Sequence, residues 1–210
     1  MTRPAILVPF KATGSKSRLA GALGAAGARE FALVMLSDVL RMLRSAGGSA
    51  DTFLVSSDRR AKVLADKHGA ATLTEPHDRG VDRSVRKGML DLKGRSQFVV
   101  FPSDLPFLRT EDVTRVLAFA SAGFTVICPS ASFNGTNAMA LERRQRRMLS
   151  YDKDSFWTHL ARSARAGARV AVLTEPGITF DVDDPADLRA LAESGVRNAS
   201  ARYAIKALSR

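Results

Sequence analysis

The chain has 210 residues, of which 45% are apolar, so it is long enough for one sizeable hydrophobic core and short for two. Its formal charge of +11 favours anionic partners without selecting nucleic acid over nucleotides, and 7% aromatic residues are too few for the stacking platform of a single-strand binder. A lone Cys128 excludes a disulfide framework, and the sequence shows neither a long apolar run nor a leader-like N-terminus. We therefore expect a cytoplasmic protein with no membrane span and a single domain over residues 1–210.

Apolar runs and helical patterns alternate along the chain. Residues 5–10 form a short continuous apolar run, as in a strand buried on both faces, and residues 28–43 show helical spacing. Further strands are predicted at 52–56, 71–73, 97–101, 125–128 and 169–173, and further helices at 59–67, 81–92, 110–120 and 155–165. The alternation predicts an α/β fold, in which helices cover both faces of a mostly parallel sheet and ligands bind at the carboxyl ends of the strands.

A basic loop follows the first predicted strand. It carries Lys11, Lys16 and Arg18 together with several backbone donors. The loop lacks the first glycine of a Walker A motif and the glycine pattern of a dinucleotide site. A basic loop of this kind is often plain surface charge, but its position after a buried strand favours phosphate binding. Ser56 ends the second predicted strand, so we expect it at the same edge of the sheet.

Acidic residues form the second constellation. Asp181 and Asp183 are two residues apart in an extended segment, so their side chains project to the same side and can share one cation. Asp104 follows a buried strand, where it is either a turn residue or the third carboxylate of that site. Because Mg²⁺ prefers oxygen ligands and leaves room for substrate phosphates, this arrangement predicts Mg²⁺ and a phosphorylated substrate.

Local signals indicate structural roles for several other segments. Asp184 precedes Pro185, with Asp187 three residues on, which predicts the N-cap and near capping box of a helix. Residues 134–138 are turn-rich and predict a hairpin or loop. The three histidines show no ligand spacing. We expect the arginine cluster at 143–147 and a basic tail at about 196–210 to be solvated or to contact another subunit.

Taken in order, these motifs resemble the 2-phospho-L-lactate guanylyltransferase family of coenzyme F-420 biosynthesis. The resemblance is carried by Val8-Pro9-Phe10-Lys11, Lys16-Ser17-Arg18-Leu19, Ser103-Asp104-Leu105-Pro106, Gly135-Thr136-Asn137-Ala138, Ser155-Phe156 with His159, and Asp181-Val182-Asp183 with Pro185 and Asp187-Leu188. It spans roughly residues 5 to 190. The family's usual Gly-Leu-Asn is Gly80-Val81-Asp82 here, and its usual Tyr-Gly is Tyr151-Asp152.

The resemblance implies a Rossmann-like nucleotidyltransferase fold of the GT-A-like kind, a three-layer sandwich with a mostly parallel mixed sheet. It also implies transfer of GMP from GTP to 2-phospho-L-lactate, phosphoenolpyruvate or a related phosphorylated acid, with release of pyrophosphate, and it suggests a homodimer. A molybdopterin or sugar-phosphate nucleotidyltransferase of the same fold and a basic nucleic-acid-binding protein are the alternatives.

The resemblance also assigns roles to individual residues. Mg²⁺ would be held by Asp104, Asp181 and Asp183, and the GTP phosphates would lie along Lys11, Lys16 and Arg18 as catalytic residues. The phosphorylated acid would contact Thr136 and Ser155. The remaining implied substrate contacts are Pro9, Ser17, Ser56, Asp82 and Asn137.

Overall fold

Seven strands form one sheet in the computed structural model, which describes residues 4–11, 16–47, 51–74 and 80–209. The strands are β1 (Ala5–Pro9), β2 (Asp51–Val55), β3 (Ala71–Leu73), β4 (Gln97–Val100), β5 (Thr125–Pro129), β6 (Thr136–Glu142) and β7 (Val170–Val172). Their order is β3-β2-β1-β4-β6-β5-β7. Neighbouring strands are parallel except at β6, which runs antiparallel to both β4 and β5. The predicted α/β fold with a mostly parallel mixed sheet is confirmed.

Strand β6 corrects one prediction. The turn expected at residues 134–138 ends at Gly135, and from Thr136 onwards the chain is a strand that pairs on both edges. Ala138 and Ala140 have weak strand propensity, so the local sequence carries little signal of a strand. The backbone hydrogen bonds that β4 and β5 offer on either side determine the conformation, and they carry Thr136 and Asn137 to the carboxyl end of β4.

Eight α-helices surround the described sheet. They are α1 (Ala20–Ala46), α2 (Arg59–Lys67), α3 (Val81–Asp91), α4 (Thr110–Ser121), α5 (Ser155–Arg165), α6 (Pro176–Thr179), α7 (Pro185–Glu193) and α8 (Ala199–Leu208), with 3-10 helices at Ser17–Leu19 and Arg143–Met148. Helix α1 begins earlier than the predicted residue 28, and Gly24 interrupts it with a positive φ of 69°. The periodic apolar pattern belongs to the part after this break.

The strands bury both faces, which explains their continuous apolar sequences. In β1, Ile6 and Val8 pack into the cluster that includes α1, α2 and α4. Ala5 and Leu7 face the opposite side, where α3 and the 3-10 helix Arg143–Met148 lie. Side chains alternate across a strand, so a strand of this kind contributes to two cores at once. The result is a three-layer sandwich.

Helix α1 and its preceding turn, Ser17–Ala46, are long and apolar enough to cross a bilayer by length and composition. Much of this apolar surface is internal. Phe31, Leu36 and Leu40 are among the side chains of α1 that are buried in the protein. Burial against the sheet and against α7 and α8 accounts for the composition of the helix.

The basic segment expected as a tail at about 196–210 contains a packed helix. The N–H and hydroxyl groups of Ser200 both donate to the buried carboxylate of Asp38 in α1, at 2.8 and 2.7 Å. Asn198 caps the helix through the N–H of Ala201. Arg202 and Lys206 lie on the exposed face. The basic residues conceal an inner stripe of small residues, which is why the composition suggested a solvated tail.

Candidate active site

A cavity of about 350 Å³ opens at the carboxyl ends of β1 and β4. This is the edge where ligands are expected in a sheet of this type. The described lining consists of Pro9, Phe10, Lys11, Lys16, Ala32, Met35, Val81, Val100, Pro102, Ser103, Asp104, Gly135, Thr136, Asn137, Tyr151, Asp152, Ser155 and Asp181. Charged and hydroxyl groups therefore meet an apolar floor made by the sheet and α1.

Three carboxylates meet beside this cavity. Asp104, Asp181 and Asp183 each offer an oxygen atom, and these atoms all lie within 4.8 Å of one another. Asp104 follows β4, whereas the other two acids follow α6. The N–H of Val182 donates to the carbonyl oxygen of Asp104 at 3.3 Å, and this backbone contact joins the two segments. The sequence analysis expected these three side chains to converge, and they do.

Asp181 is half-buried beside the cavity. Burial, and next the charges of Asp104 and Asp183, raise the pKa of Asp181 to about 6. The side-chain amide of Asn137 donates to Asp181 Oδ1 at 3.1 Å and also to the carbonyl oxygen of Ile178 at 2.8 Å. This amide holds the carboxylate in place and partly offsets the rise in pKa. Carboxylates this close together either hold a proton between them or are neutralised by a cation.

Lys16 provides part of the compensating charge. Its ammonium group lies 2.6 Å from Asp104 Oδ2 and 2.5 Å from Asp183 Oδ1, and 7% of its side chain is exposed. Burial opposes the charged form of Lys16, but the two carboxylates outweigh it and raise its pKa above the ordinary value. The sequence analysis assigned Lys16 to the GTP phosphates. It did not predict the ion pairs of Lys16 with Asp104 and Asp183.

The acidic segment is fixed from its other end by helix α7. The carboxylate of Asp184 accepts hydrogen bonds from the N–H groups of Ala186 and Asp187, at 2.7 and 3.1 Å. Asp187 returns the contact by accepting from the N–H groups of Asp183 and Asp184. The predicted N-cap and capping box are therefore confirmed, and the box holds the backbone of Asp183 directly beside the carboxylate cluster.

Hydroxyl groups also line the cavity. Thr136 begins β6, and Ser155 is the first residue of α5. Ser155 Oγ donates to Thr136 Oγ1 at 3.3 Å, and Thr136 Oγ1 is 2.9 Å from Nδ1 of His159. No side-chain cap covers the N-terminus of α5 in the described chain, because the preceding Asp154 makes no capping hydrogen bond. Free N–H groups at a helix N-terminus favour an anion.

The structure brings most of the predicted site residues together. Pro9, Lys11, Lys16, Asp104, Thr136, Asn137, Ser155 and Asp181 line the cavity, and Asp183 joins them through the carboxylate cluster. Of the predicted basic loop from Lys11 to Arg18, residues 12–15 lie outside the described residues.

Four predicted contacts lie outside the described cavity lining. Ser17 and Arg18 are exposed on the 3-10 helix that follows Lys16. Ser56 is buried, and its hydroxyl accepts the N–H of Asp58 at 3.1 Å. Asp82 accepts the N–H of Tyr151 at 2.8 Å, so it supports the backbone of a lining residue.

His159 is a residue that the sequence analysis named as part of a family motif but did not assign to the site. It is completely buried and bridges Thr136 to the backbone of Ser150. A local signal existed, because Ser155 and His159 are four residues apart and share one face of α5. Only the position of β6 shows that Thr136 reaches that face.

Comparison with known proteins identifies the family. The model of guanylyl transferases described as CofC-like matches residues 4–208. The chain belongs to this family. As a CofC-like protein it is a nucleotidyltransferase enzyme, as the resemblance implied.

Curated relatives cover most of the CofC-like chain. It is 32% identical over 197 residues to a phosphoenolpyruvate guanylyltransferase of Conexibacter woesei, covering 92% of this chain and 88% of the relative. It is 30% identical to a 2-phospho-L-lactate guanylyltransferase of Methanothrix thermoacetophila, covering 90% and 83%. It is also 30% identical to a 3-phospho-D-glycerate guanylyltransferase of Phenylobacterium zucineum, covering 87% and 86%.

Solved structures support the fold. A Desulfovibrio desulfuricans G20 protein, provisionally assigned as a nucleotide-diphospho-sugar transferase, matches with a TM-score of 0.79 at 17% identity and covers 100% of this chain and 96% of its own. A 4-diphosphocytidyl-2C-methyl-D-erythritol synthase matches with a TM-score of 0.62 at 14% identity, with coverage of 91% and 97%. The nucleotidyltransferase fold implied by the resemblance is thereby confirmed.

Proposed function

We propose that this CofC-like protein transfers the guanylyl group of GTP to the phosphate of a small phosphorylated carboxylic acid and releases pyrophosphate. The observation that carries the proposal is the meeting of Asp104, Asp181 and Asp183 beside a cavity that is also lined by hydroxyls and by the first residue of α5. The carboxylates of such a cavity can bind a cation, while its hydroxyls and helix N-terminus can bind anions. The relatives named for phosphoenolpyruvate, 2-phospho-L-lactate and 3-phospho-D-glycerate support an acceptor of this class.

The carboxylate cluster fits Mg²⁺. Its donors are all carboxylate oxygens, which are the hard ligands that Mg²⁺ prefers. Asp104, Asp181 and Asp183 would hold the ion, and Asn137 would keep Asp181 oriented. When bound, Mg²⁺ supplies charge neutralisation and alignment of phosphate oxygens.

Lys11 and Lys16 both line the cavity, and we assign them to the GTP phosphates. Their positive charges stabilise the negative charge that develops on pyrophosphate as it leaves. Lys16 is held in position by its ion pairs with Asp104 and Asp183. Arg18 is exposed two residues beyond Lys16, and a phosphate contact remains our proposal for it.

The acceptor occupies the Thr136 and Ser155 side of the cavity. Its phosphate is already largely ionised near neutral pH, because the second pKa of a phosphate monoester is about 6. One of its oxygens attacks the α-phosphorus of GTP, and the bond from that phosphorus to the bridging oxygen of pyrophosphate breaks. No general base is needed. The protein's task is to bring two anions together and keep them aligned.

Three finer expectations extend this proposal. We propose that the enzyme acts in coenzyme F-420 biosynthesis, that it works in the cytoplasm, and that it forms a homodimer. The resemblance of the sequence motifs is the basis for the first and the third of these, and the composition of the chain is the basis for the second.

The test is a mass spectrum of the products formed from GTP and Mg²⁺ with separate acceptors. The panel contains phosphoenolpyruvate, 2-phospho-L-lactate and 3-phospho-D-glycerate, with glucose 1-phosphate as the sugar-phosphate control. We expect a GMP adduct of at least one phosphorylated acid, together with an equal amount of pyrophosphate. An adduct with the sugar phosphate alone, or no adduct while the protein binds nucleic acid with a steep salt dependence, contradicts the proposal.

A further inference from the structure

His159 lies behind the acceptor side of the cavity and makes two hydrogen bonds through its ring. The backbone N–H of Ser150 donates to Nε2 at 2.9 Å, and Nδ1 is 2.9 Å from Thr136 Oγ1. The ring is completely buried and packs edge-on against Tyr151, with ring centroids 5.1 Å apart. Both ring nitrogens are therefore engaged, and only one of the two partners lines the cavity.

The Ser150 contact fixes the tautomer of the ring. A backbone N–H can only donate, so Nε2 carries a lone pair and accepts. The proton of a neutral imidazole then resides on Nδ1, which donates to Thr136 Oγ1. Burial, helped by the charge of Arg162, lowers the pKa of His159 to about 4, so the ring is neutral near pH 7.

The tautomer of His159 determines which hydrogen bonds the hydroxyl of Thr136 can make. Thr136 Oγ1 accepts from His159 Nδ1 and, at 3.3 Å, from Ser155 Oγ. A hydroxyl has two acceptor lone pairs and one proton, so both acceptor positions of Thr136 are occupied. The remaining proton of Thr136 is available for donation, and Thr136 lines the cavity.

We propose that His159 is a positioning residue that keeps the Thr136 hydroxyl oriented as a hydrogen-bond donor towards an anionic oxygen of the acceptor. The inference rests on the proposed function, in which Thr136 contacts the phosphorylated acid. A hydroxyl held as a donor selects a carboxylate or phosphate oxygen over a group that must itself donate. His159 thus contributes to the choice of an acidic acceptor without touching it.

Two matched variants separate the two ring contacts. In His159→Asn the side-chain amide nitrogen takes the place of Nδ1 and still donates to Thr136. In His159→Gln the amide oxygen takes the place of Nε2 and still accepts from Ser150, but the donor to Thr136 is lost. Both variants remove the imidazole ring, so a role in packing alone affects them alike, whereas a role through the Ser150 contact affects His159→Asn more.

The kinetic test measures KM for the phosphorylated acid and KM for GTP separately. We expect His159→Gln to raise the KM for the acid roughly tenfold to a hundredfold, as for loss of a hydrogen bond to a charged group, with the KM for GTP unchanged. His159→Asn stays close to wild type in both. Equal effects of the two variants, or a parallel rise in both KM values, overturn the proposal.

A second measurement needs no variant enzyme to be active. The ring nitrogens of the wild-type protein are observed by ¹⁵N NMR after labelling of its three histidines. We expect the His159 signal to show a protonated Nδ1 and an unprotonated Nε2 near pH 7. The opposite tautomer, or a charged ring, overturns the proposal even if GMP transfer is normal. If the wild-type protein forms no GMP adduct with any acid, the proposed function and the contact of Thr136 with the acceptor are wrong. The NMR measurement then still tests whether His159 donates to Thr136.

Discussion

Asp183 holds an exposed position in the carboxylate cluster, and this makes it the residue best suited to a test of the site. Its side chain is 51% exposed and pairs with Lys16, whereas Asp181 is half-buried and accepts a hydrogen bond from Asn137. Substitution at Asp183 therefore changes the charge of the cluster without disturbing the core. The neighbouring Asp184 has a separate task, because it caps α7.

We predict that Asp183→Asn lowers the rate of GMP transfer by roughly a hundredfold or more, because one anionic ligand of the cation is lost. The midpoint of thermal unfolding should change little. Asp184→Asn is the matched control, since asparagine caps a helix as well as aspartate does. A near-normal rate for Asp183→Asn, or equal losses in the two variants, removes Asp183 from the site.

His159 also predicts a dependence of stability on pH. Its pKa in the folded protein is about 4, below the ordinary value of 6.5, so between these values the unfolded chain binds a proton that the folded protein does not. Stability is therefore lost as pH falls from about 6.5 towards 4. Burial lowers the pKa of His68 as well, which adds in the same direction.

We predict that the free energy of unfolding of His159→Gln falls less between pH 7.5 and 5 than that of wild type, by roughly 1 to 3 kcal/mol. Urea denaturation at the two pH values measures this difference, and His68 is present in both proteins. If the free energy of unfolding falls equally in the two proteins between these pH values, the pKa of His159 is not lowered by folding, and the prediction is wrong.

At the scale of residues, the sequence predicted that the acidic side chains of the site lie close together, but it did not predict the side chains that contact them. Asp181 and Asp183 are close in sequence, so an extended backbone alone places them together. The ion pair of Lys16 with Asp104 joins residues 88 positions apart, and the contact of Thr136 with His159 depends on where β6 lies. Side-chain contacts between distant segments are not encoded in local spacing.

At the scale of elements, most helices were predictable because their apolar periodicity or caps are strong. Helices α2 and α5 match the predicted bounds, and α7 begins at Pro185 as its capping box indicated. Strand β6 and helix α8 were not predicted. The first has alanines where strand formers are usual, and the second hides a narrow stripe of Ser200, Ala201 and Ala204 among basic residues. Both depend on tertiary contacts for their assignment.

Helix α8 offers a test of its attachment to α1. We predict that Asp38→Ala lowers the free energy of unfolding by roughly 1 to 3 kcal/mol, since the buried N–H and hydroxyl of Ser200 lose their acceptor. Amide protons of α8 should then exchange faster than those of the sheet. Asp66→Ala, at an exposed position of α2, is the control. Unchanged exchange in α8 for Asp38→Ala contradicts this account.

Helix α6 makes a close approach that only glycine permits. A Cβ at Gly177 would lie 2.6 Å from the carbonyl oxygen of Phe107 and would overlap the carboxylate of Asp112. We predict that Gly177→Ala costs roughly 1 to 3 kcal/mol of stability through overpacking. Gly94→Ala is the control, because its Cβ meets nothing within 4 Å. Equal unfolding midpoints for the two variants show that α6 shifts without cost.

At the scale of the whole molecule, the sheet order explains how distant segments form one site. Strands β1, β4 and β6 are neighbours, so the residues that follow β1 and β4 and those that begin β6 meet at one edge. The segment after α6 then joins this edge through the contact of Val182 with Asp104. Three stretches of acidic and amide residues, far apart in sequence, thereby surround one small volume beside the cavity.

The central claim is that this volume binds a divalent cation. The most direct measurement is anomalous diffraction from crystals grown with Mn²⁺ and a non-hydrolysable GTP analogue. We predict a single anomalous peak in contact with Asp104, Asp181 and Asp183, with the nucleotide phosphates on its open side. A peak elsewhere, or nucleotide bound in the cavity while the Lys16 ammonium alone bridges Asp104 and Asp183, contradicts the account.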